Sequence, residues 1–146
     1  MTDTALIKHL MSYRNQILAG QVEALEKLNL TDPAKSSLSL AALTERAELT
    51  FNYALSYIQE RDRGVIEQFL EKVRLHAARY SLDITNSRLE LTDEVVKELS
   101  ILAEVLQQVL SRTLGRDHRL LKKVQVRLES MILLVQFETS KPSIKS

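Results

Sequence analysis

Thr92-Asp93-Glu94-Val95-Val96-Lys97-Glu98-Leu99-Ser100-Ile101-Leu102-Ala103-Glu104-Val105-Leu106-Gln107-Gln108-Val109-Leu110-Ser111-Arg112-Thr113-Leu114-Gly115 is the stretch whose reading decides the fold. Val95, Leu99, Leu102, Leu106, Val109 and Thr113 step 4-3-4-3-4, which is the spacing of one face of an α-helix. A hydroxyl followed by two acids opens the stretch and suits a helix N-terminus, where carboxylates meet the positive end of the dipole. Gly115 closes it as a residue able to take the left-handed backbone that ends helices. Asp117 then caps a second stretch to about Phe137, in which Leu121, Val124, Leu128, Met131 and Val135 step 3-4-3-4.

Both stretches carry a second apolar stripe beside the first: Val96, Ile101, Val105 and Leu110, then Leu120, Leu134 and Phe137. A helix apolar on two sides buries more than one side. The seam-like positions Val95, Leu99, Leu102, Leu106, Leu121, Val124, Leu128 and Met131 are therefore the expected dimer or partner face.

Three helical segments precede these two. The first runs roughly from Thr4 to Leu28, with Thr4 or Asp3 as cap, a gap in the apolar period at Tyr13-Arg14, and Gly20 as a bend or a close helix crossing. A loop from Asn29 to Ser39 follows. The second segment is Leu40 to Glu60, with Leu43, Ala47, Phe51, Ala54, Leu55 and Ile58 on one face. A break at Arg61-Asp62-Arg63-Gly64, with Gly64 as its flexible point, leads to the third segment, Val65 to Tyr80. Ser81 to Leu91 is polar and irregular. The expectation is an all-α bundle of about five long helices in one domain, with a tail from about residue 139.

With 3 Gly, 2 Pro and no Cys in 146 residues, there is little loop to carry a catalytic site and no thiolate chemistry or disulfide. The longest apolar run, Met131 to Val135, is far short of the roughly 20 residues of a membrane span. No apolar leader precedes Arg14, so the expected location is cytoplasmic.

The three histidines, His9, His76 and His118, show no metal-ligand spacing. Carboxylates fall where salt bridges form, and three scattered glycines build no phosphate loop. The expectation is a protein that is not an enzyme and holds no metal. His76, on an apolar stripe between Val73 and Tyr80, reads as a hydrogen-bonded core residue. Its alternative is a haem axial ligand, the one cofactor the residues leave open. Phe51, Tyr53, Tyr57, Phe69, His76 and Tyr80 are the candidate lining of a pocket for a small apolar ligand, against which stands ordinary core packing.

The net charge of +1 hides an asymmetry. Residues 1–110 hold 12 Lys and Arg against 16 Asp and Glu, whereas residues 111–146 hold 8 against 3. Arg112, Arg116, Arg119, Lys122, Lys123 and Arg127 form a basic face at the last helix junction. No aromatic is interleaved, which argues against single-strand stacking, and the flanking helices are too long and apolar for a groove-reading motif. A solvated, charged helix junction or a docking face for an acidic partner fits these residues better than a nucleic-acid site does.

The order of segments, with Tyr57-Ile58-Gln59-Glu60-Arg61-Asp62 and Phe69-Leu70-Glu71-Lys72-Val73-Arg74-Leu75-His76-Ala77-Ala78-Arg79-Tyr80-Ser81-Leu82 between the first and the two closing helices, resembles the N-terminal sensor domains of RsbR-type stressosome proteins. Arg79 matches an arginine that family carries near the end of its middle helix, and Tyr80-Ser81-Leu82 stands where the family has a Gly-aromatic turn. The resemblance implies a globin-like fold without haem. It also implies a homodimer, a small apolar ligand and a stress-response signal relayed to a partner or output domain.

Overall fold

The computed structural model describes residues 2–31, 39–79, 88–115 and 117–140. Among them are six helices and no strand: α1 (Asp3–Ser12), α2 (Arg14–Thr31), α3 (Leu40–Glu60), α4 (Arg63–Arg79), α5 (Arg88–Leu114) and α6 (His118–Ser140). The protein is an all-α bundle.

The first predicted segment is two helices, and the break falls at the gap in the apolar period. Ser12 Oγ donates to the His9 carbonyl at 2.6 Å, and the Tyr13 N–H turns back to Leu10 O at 3.1 Å. Both bonds draw carbonyls away from the i→i−4 ladder, which is how a helix is interrupted without proline. The cap of α1 is Thr2, not Asp3 or Thr4, accepting from the Ala5 N–H at 3.1 Å. Ser39 caps α3 in the same way through Ala42 N–H. The start of α5 also differs: the helix begins at Arg88, and Thr92 lies inside it, nearly buried.

Helix α3 is central, packing against α1, α2, α4, α5 and α6. Its burial around several sides follows, and includes the polar Arg46 and Thr50 as well as Phe51 and Ile58. The broadest contact is between α5 and α6. Val95, Leu99, Leu102, Leu106, Val124, Leu128 and Met131 are buried within this single chain, with Leu121 packed beside them. The expected subunit seam is therefore intramolecular: it closes the core, and a second copy could reach it only by opening the bundle.

Gly20 marks a close crossing rather than a bend. A Cβ there would lie 3.1 Å from Val105 Cγ1 on α5. Alanine gains about 0.5–1 kcal/mol in a helix interior, but Val105 is β-branched and yields only by a small helix shift. We expect Gly20→Ala to be neutral within about 1 kcal/mol and Gly20→Leu to cost about 1–3 kcal/mol by overpacking. Urea unfolding checks both values, and adding Val105→Ala should recover part of the leucine penalty.

Gly115, at φ +63°, ends α5 as the sequence predicts, and Asp117 Oδ1 accepts the Leu120 N–H at 3.3 Å to start α6. At the α3–α4 junction the left-handed residue is Arg61 (φ 52°), not Gly64. Gly64 belongs to the first turn of α4, its N–H held by Asp62 Oδ1 at 2.9 Å.

Candidate functional site: a basic groove beside the last helix

Four of the six predicted ligand-pocket residues are closed in the core of the described structure. Phe51 and Phe69 have no accessible surface, and Tyr57 and His76 have almost none. A cavity able to hold a ligand would leave accessible area on the residues lining it. Tyr53 stacks on Phe69 with centroids 5.7 Å apart, and the Tyr57 hydroxyl meets Ser130 Oγ at 2.8 Å. Tyr80 lies outside the described residues. Phe51, Tyr57, Phe69 and His76 are core, and Tyr53 is partly buried against it.

His76 is likewise engaged on both ring nitrogens. Nε2 lies 3.0 Å from the Ala42 carbonyl, which assigns the proton to Nε2, and Nδ1 then accepts from Arg46 Nε at 3.2 Å. Neither nitrogen offers a lone pair to a haem iron, so the haem alternative loses its ligand. Arg46 in turn gives NH1 to both Glu98 oxygens, at 2.9 and 3.0 Å. Helices α3, α4 and α5 are thus joined by one buried polar chain, Ala42 O–His76–Arg46–Glu98.

Burial first, and the Arg46 guanidinium second, hold the His76 imidazole below the ordinary histidine value of 6.5. Protonation would also place two N–H donors face to face between His76 and Arg46. The unfolded chain takes up this proton at higher pH than the folded one. The stabilisation from neutral His76 is therefore complete above about pH 6.5 and lost as pH falls from there through the depressed folded value. Glu98, Glu45 and Arg79 are the other charges near this imidazole. Thermal unfolding should show a plateau above about pH 6.5 and a decline as pH falls below it. In His76→Gln, which cannot titrate, that segment of the curve should flatten.

The accessible chemistry lies elsewhere. An open groove of about 570 Å³ is lined by Arg61, His118, Arg119, Lys122, Lys123, Val126 and Arg127. Five of the seven are lysine or arginine and none is acidic. Arg61, Arg119 and Lys122 are exposed at its rim. Lys123 and Arg127 sit deeper, and both bind the Asp3 carboxylate from α1, Arg127 at 3.2 Å. Arg127 NH1 also donates to Ile58 O at 2.7 Å, satisfying a carbonyl in the last turn of α3. The hydrogen bond from Lys123, more than any other influence, holds the Asp3 carboxyl below the usual aspartate value. The exposed N-terminal turn of α6 adds the positive end of a helix dipole to the same region.

Four of the six residues of the predicted basic face meet here: Arg119, Lys122, Lys123 and Arg127. Arg112 is exposed on α5 with its Nε on Gln108 O, away from the groove lining, and Arg116 lies outside the described residues. Sequence reasoning missed Arg61, His118 as a lining residue, and Val126. Arg61 is remote in the chain and arrives only because α3 packs on α6.

No helix among the described residues is long and apolar enough to cross a membrane. Searches against family models, curated proteins and solved structures find no match to this chain.

Proposed function

We propose that this chain is a non-catalytic interaction module that docks an acidic surface of a protein partner in the basic groove of α6. The observation that carries the reading is the composition of that groove: its lining is five cations, a histidine and a valine with no carboxylate, and of the cations Lys123 and Arg127 are held by Asp3 while Arg61, Arg119 and Lys122 stand exposed at the rim. Cations gathered in a concave site steer and orient an anionic partner more than they add raw affinity. A protein is favoured over a nucleic acid because the groove offers no aromatic for base stacking and runs into exposed apolar side chains at Val126 and Leu133.

In a signalling assembly of the kind that the helix order resembles, such a groove recruits the next component. The sensor reading with an internal apolar ligand has less support, since the aromatic positions it needs are closed core. The test is fluorescence anisotropy with a labelled glutamate-rich peptide. Saturable binding that weakens steadily with salt is expected; no binding even at low ionic strength overturns the proposal.

A further inference from the structure

Val126, Leu133 and Phe137 are half or more exposed, at 50, 66 and 52%. All three lie on one ridge of α6, opposite Val124, Leu128, Met131 and Val135, which are buried. At 3.6 residues per turn, a step of seven returns to nearly the same direction, so 119, 126 and 133 align, as do 130 and 137. The outward ridge of α6 is thus basic in its first half and apolar in its second, and Val126 belongs to both the ridge and the groove. The other large exposed apolar residues, Met11, Leu28, Leu40 and Leu75, are dispersed over α1 to α4.

The two flanks of the ridge differ. One flank is bordered by the α3–α4 junction and carries Arg61 together with Lys123 and Arg127, the last two paired with Asp3; of the acids beside Arg61, Glu60 is exposed and Asp62 accepts from the Gly64 N–H. Farther along it, the Arg63 guanidinium lies 5.3 Å over the Phe137 ring while also pairing with Glu138 at 2.9 Å. The other flank carries Gln125, Glu129 and Gln136, with Gln125 Nε2 on Glu129 Oε1 at 3.1 Å. An occupant matched to this surface has apolar residues at helical spacing and carboxylates along one side and at one end.

We propose that the outward ridge of α6 docks a single acidic amphipathic helix of a protein partner. Its apolar face lies on Val126, Leu133 and Phe137, and its carboxylates face the groove and the α3–α4 junction. This inference rests on the basic-groove reading above and adds the occupant's fold and its apolar requirement. Charge complementarity selects the sign, and the straight ridge from Arg119 to Phe137, about 27 Å long, selects a helix of about 20 residues.

The experiment uses two labelled synthetic peptides of equal length and charge. One is a Leu/Glu amphipathic helix with leucines at i, i+3, i+4 and i+7; the other has serine at every leucine. The intact protein is expected to bind the amphipathic peptide at least tenfold more tightly than the serine peptide. Leu133→Ser and Leu133→Ser/Phe137→Ser, both at exposed positions, should erase that difference and leave the serine peptide's binding unchanged. Equal binding of the two peptides by the intact protein overturns the helix-docking inference while leaving the basic groove standing. Binding of neither removes both. Two further outcomes overturn it by naming another occupant. One is a dimer of the protein alone in sedimentation equilibrium that Leu133→Ser dissociates. The other is binding to equimolar phosphatidylserine–phosphatidylcholine vesicles that Leu133→Ser abolishes while the peptides are not discriminated.

Discussion

Replacing Arg46 by methionine is expected to lower the stability of the bundle by about 3–5 kcal/mol, since it removes one partner of a buried ion pair and the donor that Glu98 and His76 share. For a chain of this length that corresponds to a fall in melting temperature on the order of 10 °C. The side chains of Arg46 and Glu98 are only 5 and 12% exposed, so water does little to replace the lost guanidinium. Two acceptors lose the same guanidinium at once: the Glu98 carboxylate and His76 Nδ1. Helix propensity does not offset this, because arginine and methionine are nearly equal in it. The double change Arg46→Met/Glu98→Leu should be markedly more stable than Arg46→Met alone, since a buried pair replaced by apolar side chains of similar volume is often neutral. A double variant no better than the single one would show that Glu98 is held by contacts other than Arg46. Calorimetry of the two variants decides the matter.

The second large effect is on binding. Arg119→Glu/Lys122→Glu reverses two exposed charges at the groove rim and should weaken binding of an acidic peptide by about 30- to 100-fold at low salt. Each reversal both removes an attraction and adds a repulsion, at about 0.5–0.7 kcal/mol apiece for exposed charges. The appropriate control is Arg112→Glu, a charge reversal on the same basic end but outside the groove lining. It should change affinity by only a few-fold, through the long-range field. Similar losses in both variants would mean that net charge, not the groove, governs association. Titrations at two salt concentrations separate these outcomes.

The core was legible in the sequence because it is carried by period. The 3–4 stepping from Val95 to Thr113 and from Leu121 to Val135 placed α5 and α6, and Gly115 and Asp117 marked their junction. Period says which side of a helix is buried and not what buries it. The same stripes therefore read as a subunit seam until the contact between α5 and α6 within one chain is seen. The aromatic stripe fails in the same way: Phe51 and Phe69 have the spacing of a pocket wall and the packing of a core.

The break at Tyr13 left a visible gap, but its cause, a serine hydroxyl taking a helix carbonyl, has no signature in spacing. The groove was half legible. Its α6 residues form a charge cluster in sequence, whereas Arg61 joins them only through the packing of α3 on α6, and Asp3 fixes Lys123 and Arg127 from the far end of the chain. The buried Arg46–Glu98 pair was not found at all, because nothing local distinguishes Arg46 from an exposed arginine until α3 is known to be surrounded.

An acidic partner bound in the groove of α6 would perturb the residues that line it. The most direct measurement is a map of backbone amide shifts in a ¹H–¹⁵N correlation spectrum as the glutamate-rich peptide is added. The largest shifts are expected at Arg61, Arg119, Lys122 and Val126, and they should fade as salt is raised. Shifts centred on α2, or spread evenly over the basic end to include Arg112, would contradict binding in the groove.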